Sequence, residues 1–196
     1  MHRNTLAVVH GESERILVSG ISRRLRFPID VYPLDRGSGT IDLPNIGNML
    51  SSGPFRNESA LHRMYPGLDY ESGKAVRMSG LRIFTIMDVD RHRDHLRAYR
   101  SGDVFRDSVF RGRIVPIYND RDLDEVMESA GFTVNRADKV GSYLGIVRNL
   151  DVRDLYRRLK ASEDTNLDLL LLWVLSRTPP YTNEFRDEAV KTFPVI

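Results

Sequence analysis

The stretch Leu81–Arg93, LRIFTIMDVDRHR, contains an apolar run that predicts a β-strand, followed directly by acidic residues that are candidates for a functional site. Its first seven residues, Leu81–Met87, are mostly apolar and predict a buried β-strand. Two carboxylates, Asp88 and Asp90, follow at the carboxyl end, and side chains two apart on an extended chain point to the same side. The two negatively charged carboxylates repel each other unless a cation lies between them. Hard oxygen ligands of this kind suit Mg²⁺ or Mn²⁺.

Outside this stretch, size and composition indicate a globular domain. The chain has 196 residues, of which 41% are hydrophobic and 29% are charged. This length is typical of one domain with a sizeable core. The net charge of +2 does not by itself indicate a nucleic-acid-binding protein. Basic residues nevertheless cluster in three segments, which either form local basic faces or are ordinary solvated helix faces. These segments are 22–26, 91–113 and 153–160.

The composition also excludes several classes of site. The chain contains no cysteine, which rules out disulfides, thiolate metal sites and a cysteine nucleophile. A cytoplasmic location is the expectation that fits this composition best. The amino terminus does not read as a signal peptide. The most apolar segment, Leu167–Leu175, contains Asp168 and is far shorter than the roughly 20 residues of a membrane-spanning helix. We therefore predict a buried helix there and no membrane association.

The order of apolar segments predicts the fold class. Predicted strands are 5–9, 29–34, 81–87 and 113–118, and predicted helices are 13–26, 42–50, 94–99, 122–130, 139–147, 152–161 and 167–176. Strands that alternate with helices predict an α/β fold, a parallel-type sheet with helices on both faces. We expect residues 1–135 to form this domain, with 51–80 as an irregular insertion. Residues 136–196 are expected to form a helical C-terminal extension packed on it.

The turn after the first predicted strand supplies further acidic residues. In parallel sheets, ligands collect beyond the carboxyl ends of the strands. The turn His10–Glu14, HGESE, lies at such an end. If the first and third strands are neighbours, Glu12 or Glu14 reaches the same cation as Asp88 and Asp90. Carboxylates converging in this way bind one or two divalent ions, which stabilise charge on a phosphodiester and generate a hydroxide nucleophile.

Arginines supply candidate contacts to a phosphate. Arg91 adjoins the acidic pair, and Arg93 and Arg97 share one helical face by their i, i+4 spacing. Beside a metal ion these side chains can clamp a nucleic-acid backbone or neutralise a transition state. The glycine-rich segment beginning at Arg36, RGSGT, lacks the spacing and lysine of a Walker loop. It can still approach a phosphate, which makes Arg36 a candidate substrate contact.

The acidic turn followed by Asp-x-Asp resembles the TOPRIM fold of topoisomerases, primases and OLD-family nucleases. In that family the turn usually reads Glu-Gly-x-Ser/Thr/Asp-Glu. The second glutamate corresponds to Glu14, whereas the first, which often has the catalytic role, corresponds to His10. The resemblance implies that His10 ligates a metal or acts as a base, that Glu12 substitutes for it, or that the site has lost its activity.

The later part of the chain resembles small RloB-like members of the same group. There the strand after Asp-x-Asp leads into an Asn-containing turn and an acidic helix start, matched here by Ile114–Asn119 and by Leu123-Asp124-Glu125. By this resemblance Asp124 or Glu125 approaches the metal. The resemblance spans roughly Leu6–Met127 and implies a Mg²⁺-dependent nuclease acting on DNA or RNA in anti-phage defence. It also suggests an ATPase partner protein, whereas the sequence leaves open whether the chain forms a homo-oligomer.

Each of these signals has a structural alternative. The aspartate pair is also typical of a strand-end turn followed by a helix cap. Ser13 and Glu14 alternatively only begin a helix, where the helix dipole favours an acid. His10 is then a hydrogen-bonded core histidine, and Asp124 lies on a solvated helix face. At the level of function, the alternatives are a non-catalytic TOPRIM-like nucleic-acid-binding or scaffold module and an unrelated α/β nucleotide-binding regulatory domain.

Overall fold

A four-stranded parallel sheet forms the centre of the protein in the computed structural model, which describes residues 4–32, 41–68, 80–89 and 92–193. The strands are β1 (Thr5–Val9), β2 (Asp30–Tyr32), β3 (Arg82–Asp88) and β4 (Ile114–Asn119), and their order in the sheet is β2-β1-β3-β4. All neighbouring strands are parallel. The predicted α/β fold is therefore confirmed.

Helices follow the strands and dominate the second half of the chain. They are α1 (Glu12–Leu25), α2 (Ile46–Met49), α3 (Glu58–Met64), α4 (Arg93–Arg100), α5 (Leu123–Ser129), α6 (Lys139–Arg148), α7 (Val152–Lys160), α8 (Asp168–Leu175) and α9 (Thr182–Thr192). The last of these was not predicted. In the described ranges, none of the helices combines the length and the apolar character that crossing a membrane requires.

Two helix starts differ from the prediction. Gly11 is the N-cap of α1, and the helix begins at Glu12, one residue before the predicted start at Ser13, so Ser13 lies inside the helix and does not cap it. The backbone of Gly11 is extended, and this residue makes no side-chain cap hydrogen bond. The predicted helix over 42–50 is a 3-10 turn, Leu43–Asn45, followed by the short helix α2.

One face of the sheet packs against α1 and the C-terminal helices. Phe84 of β3 lies 6.2 Å from Trp173 of α8 between ring centroids. The indole Nε1–H of Trp173 donates a 2.8 Å hydrogen bond to Thr5 Oγ1 at the start of β1. The segment Leu167–Leu175 is thus the buried helix that its composition predicts, and burial of its apolar side chains stabilises the sheet on this face.

The opposite face is covered by the middle of the chain. Alternate strand residues such as Val8 and Ile83 point to this side and pack against α2, α3 and α4. Phe55 and Leu61, from the stretch expected to be irregular, are fully buried here. The described part of 51–80 is therefore a structural layer of the domain, and the sheet lies between two layers of helices.

Candidate functional site

A cavity of ≈ 400 Å³ opens at the carboxyl edge of the sheet. Because β1 and β3 are neighbours in the sheet, the turn after β1 and the end of β3 meet at this edge. The starts of α1, α5 and α6 form the rest of the cavity wall. Its acidic lining residues are Glu12, Glu14, Asp88, Asp122 and Asp124.

Glu14 lies in the first turn of α1 and is only 4% exposed. Gly11 makes room for it, since a Cβ at Gly11 would lie 3.2 Å from Glu14 Oε2. Burial, together with the charges of Asp88 and Asp124, raises the pKa of Glu14 to about 8. Hydrogen bonds from the backbone of Gly11 and of Glu14 itself act in the opposite direction. Without a nearby cation, Glu14 therefore holds its proton at neutral pH.

Asp88 is the last residue of β3 and is hydrogen-bonded from the adjacent strand. The amide Nδ2 of Asn119, at the end of β4, donates to Asp88 Oδ1 at 2.8 Å. Burial is the largest influence and raises the pKa of Asp88, and Asp124 acts in the same direction. The hydrogen bond from Asn119 and the charge of His10 oppose this rise. Glu14 is thus a buried acid and Asp88 a partly buried one, and the ionised forms of both need more positive charge than their surroundings supply.

Asp124 points into the cavity from the start of α5. Its side chain is 2% exposed, so the alternative that it lies on a solvated helix face is wrong. Oδ1 accepts a 3.0 Å hydrogen bond from the hydroxyl of Tyr143, and Oδ2 lies 2.5 Å from Lys139 Nζ. Burial and Asp124 raise the pKa of Tyr143, so its hydroxyl remains a donor. The inward orientation follows from the cap of α5, where Asp122 accepts from the backbone N–H of Glu125.

His10 and Glu12 occupy different positions at the same turn. The Nδ1 atom of His10 lies 3.1 Å from the carbonyl oxygen of Ile41. Because a carbonyl only accepts, this contact assigns the proton to Nδ1 and leaves Nε2 as an acceptor or ligand in neutral His10. Glu12 is bound at the cavity rim by Arg15, whose Nε donates to Glu12 Oε2 at 2.7 Å. Among the acids of this turn, Glu14 is the buried one.

The other predicted site residues do not line this cavity in the described part of the chain. The predicted metal ligand Asp90 and the predicted substrate contacts Arg36 and Arg91 lie outside the described residues. Arg93 forms an ion pair with Asp120, at 3.1 Å between Nη2 and Oδ2, and Arg97 is exposed on α4. Neither arginine belongs to the cavity lining that the structure describes.

The donor chemistry of the cavity fits a hard divalent cation. In the part of the chain that the structure describes, no group of three or more His, Asp or Glu side chains is arranged to hold a metal ion. Mg²⁺, however, is usually bound by one or two carboxylates and completes its shell with water and substrate oxygens. Glu14 and Asp88 are two such carboxylates, and a cation between them would favour the ionised form of both.

Sequence reasoning did not identify Lys139 or assign Tyr143 its contact with Asp124. The sequence predicts Lys139 only as the start of a helix and assigns no contact to Tyr143. The two contacts join α6 to α5 across a loop, and no spacing rule within one helix connects these residues. The only local signal is Asp138, which caps α6 by accepting from the N–H of Gly141 at 2.9 Å and so places Lys139 at the helix start.

Comparison with protein-family models, with curated proteins and with solved structures finds no match to this chain. The chemistry of the cavity therefore carries the functional inference.

Proposed function

We propose that this protein is a nuclease that uses Mg²⁺ or Mn²⁺ to hydrolyse phosphodiester bonds in DNA or RNA. One observation carries the proposal: Glu14, in the first turn of the helix after β1, and Asp88, at the end of the adjacent parallel strand β3, line the same cavity, with Glu14 buried and Asp88 partly buried. Their raised pKa values indicate a deficit of positive charge, which a divalent cation would correct. The carboxyl edge of a parallel sheet is also where ligands usually bind in such folds.

The residues of the cavity have separable roles in this proposal. Glu14 and Asp88 would hold the ion, which when bound stabilises charge on the phosphate and lowers the pKa of a bound water. Asn119 fixes the orientation of Asp88. The Nε2 atom of neutral His10 is available to take a proton. Lys139, whose side chain is half exposed, adds a positive charge at the cavity wall and favours entry of an anionic phosphate.

The proposal also includes a biological role and a cellular location for the nuclease. The resemblance of the acidic turn, of Asp88-x-Asp90 and of the acidic start of α5 to TOPRIM motifs supports a role in anti-phage defence, beside an ATPase partner. Cytoplasmic action is supported by the absence of cysteine from the sequence. Neither statement is needed for the chemistry at the cavity.

A metal-dependent cleavage assay tests the proposal. Labelled single-stranded and duplex DNA and RNA are incubated with the protein in Mg²⁺, Mn²⁺ or EDTA. We expect cleavage that EDTA abolishes and that Asp88→Asn and Glu14→Gln reduce at least about 100-fold, as removal of a metal or its ligands does in such sites. Asp187→Asn, an exposed carboxylate on α9, is the matched control and should retain full activity.

The same variants separate a loss of chemistry from a loss of fold. Circular dichroism should show a folded Asp88→Asn protein, and Mg²⁺ should raise the Tm of the wild type but not of this variant. If Mg²⁺ and Mn²⁺ change neither the Tm nor the integrity of any substrate, the nuclease proposal is wrong.

A non-catalytic nucleic-acid-binding module is the second candidate. His10 stands where TOPRIM proteins usually have the first glutamate, and Lys139 already balances Asp124 inside the cavity. This alternative predicts binding of labelled DNA or RNA in the same assay, without cleavage in either metal.

A further inference from the structure

Helix α6 carries an apolar strip that begins at the cavity wall. Lys139 and Val140, its first two residues, both line the cavity. Val140 and Leu144 are four residues apart and therefore lie on one face of the helix. They are 47% and 45% exposed, which places both among the large hydrophobic side chains that remain accessible.

The inner side of α6 is already occupied by packing contacts. Tyr143 is fully buried, and its hydroxyl donates a hydrogen bond to Asp124. Val147 packs against Gly20 of α1 so closely that a Cβ at Gly20 would overlap its side chain. The outer side is expected to be polar in a surface helix. Here two of its exposed residues, Val140 and Leu144, are apolar, Arg148 is the next exposed side chain on this face, and a Cβ at Gly145 would meet no atom within 4 Å. Val140, Leu144 and the open surface at Gly145 form what we call the apolar strip.

We propose that the apolar strip binds the face of an unpaired nucleobase whose phosphate occupies the acidic cavity, so that the substrate is single-stranded nucleic acid. This inference rests on the proposed function and names its substrate class. In a duplex, both faces of a base are covered by its stacking neighbours. Proteins that bind unstacked bases hold them against aromatic or apolar side chains next to a site that takes the backbone.

The continuity of the strip with the cavity favours this occupant. Val140 belongs to both surfaces, so a ligand that contacts it has a charged part within reach of the cation site and an apolar part on α6. From Val140 to Leu144 the helix rises ~6 Å, which offers room for one base. A second copy of the chain is a poor alternative, because a stable dimer buries roughly 800 Å² on each partner and two half-exposed side chains supply a small part of that area.

Binding of defined oligonucleotides tests the strip without requiring cleavage. Three fluorescein-labelled probes of equal length are titrated in Ca²⁺, which takes oxygen ligands as Mg²⁺ does. The probes are a single strand, a duplex and a backbone in which every base is replaced by an abasic spacer. We expect the single strand to bind the wild type most tightly. The duplex and the abasic probe should bind on the order of tenfold more weakly.

Two substitutions and a matched control assign the effect to α6. Val140→Gln and Leu144→Gln should each weaken single-strand binding about five- to tenfold and leave abasic binding unchanged. Val190→Gln changes a valine on α9 that is 62% exposed, and it should behave as the wild type. All these positions are solvent-accessible, so the variants should fold, which circular dichroism checks.

Three outcomes would overturn the inference. The first is equal binding of the single strand by the wild type and by both α6 variants, or no binding of any probe by the wild type. The second is a preference for the duplex. The third is a change of mass in light scattering caused by Leu144→Gln, which would make the strip an interface between copies of the chain. Leu144-dependent binding without cleavage in Mg²⁺ or Mn²⁺ would instead leave the strip intact and refute the nuclease proposal.

Discussion

The side-chain amide of Asn119 connects Asp88 to the C-terminal half of the protein. Its Nδ2 donates to Asp88 Oδ1 at 2.8 Å, while its Oδ1 accepts from Thr165 Oγ1 at 3.0 Å. The backbone carbonyl of Asn119 also accepts from the N–H of Val89, directly after Asp88. Because Asn119 is fully buried, these bonds are shielded from water. The position of a candidate metal ligand therefore depends on residues from β3, β4 and the segment before α8.

Replacing Asn119 should destabilise the whole domain. Asn119→Ala removes a hydrogen bond to the partly buried carboxyl group of Asp88 and leaves polar atoms of its neighbours without that partner. We expect a loss of about 2 kcal/mol in the free energy of unfolding, measured by urea denaturation. Asn48→Ala, an exposed position on α2, should change it by less than about 0.5 kcal/mol. Equal stability of Asn119→Ala and the wild type would mean that the amide does not hold Asp88.

Glu14 should make stability depend on pH in an unusual direction. Its pKa in the folded state is about 8, above the ordinary value of 4.5, so the folded protein binds a proton that the unfolded chain releases over this interval. The stabilising effect of that proton is complete below pH 4.5 and is lost as the pH rises through about 8. We expect the free energy of unfolding to fall by on the order of 3 kcal/mol between pH 5 and pH 8.

Substitution of Glu14 identifies the source of this pH dependence. Glu14→Gln keeps the shape of the side chain and cannot ionise, so most of the decline should disappear and the variant should exceed the wild type in stability at pH 8. Glu163→Gln, an exposed acid before α8, should leave the pH profile unchanged. Parallel profiles of the wild type and Glu14→Gln would contradict the burial of an ionisable group at this position.

The elements that sequence predicted are those with local signals. An apolar run ending at Asp88 and the leucine-rich segment of α8 are recognisable from neighbouring residues alone. The parallel direction of the strands followed from the alternation of strands and helices, whereas the adjacency of β1 and β3, which brings Glu14 and Asp88 to one edge, was only a condition of the prediction and is supplied by the structure. What could not be predicted depends on packing between distant helices. Asp124 belongs to a polar helix start, and only the approach of α6 makes it a buried partner of Lys139.

The Lys139–Asp124 pair should contribute more than a surface ion pair. Lys139→Met keeps the aliphatic stem but leaves the buried carboxylate of Asp124 without its counter-charge, which should cost about 2 kcal/mol. Asp124→Asn should remove most of that penalty, so a double-mutant cycle in urea should give a coupling of about 1–2 kcal/mol. The exposed pair Arg121–Glu125, joined at 2.8 Å, is the control and should give a coupling below about 0.5 kcal/mol. Equal couplings for both pairs would refute the buried role of Asp124.

The contact between α1 and α6 depends on Gly20, because a Cβ there would lie 2.2 Å from Val147 Cγ1. This contact holds the helix that supplies Lys139 and Val140 to the cavity. Gly20→Ala should therefore destabilise the protein by roughly 1–3 kcal/mol, although alanine is intrinsically the better helix former. A Val147→Ala background removes the contacts with both γ-methyl groups and leaves only the Cβ contact of 2.9 Å, so the same Gly20→Ala change should cost clearly less there than in the wild type. Gly145→Ala, on the open side of α6, should stabilise the protein by about 0.5–1 kcal/mol in thermal and urea denaturation. If Gly20→Ala stabilises the wild type as Gly145→Ala does, the two helices do not pack closely at this point.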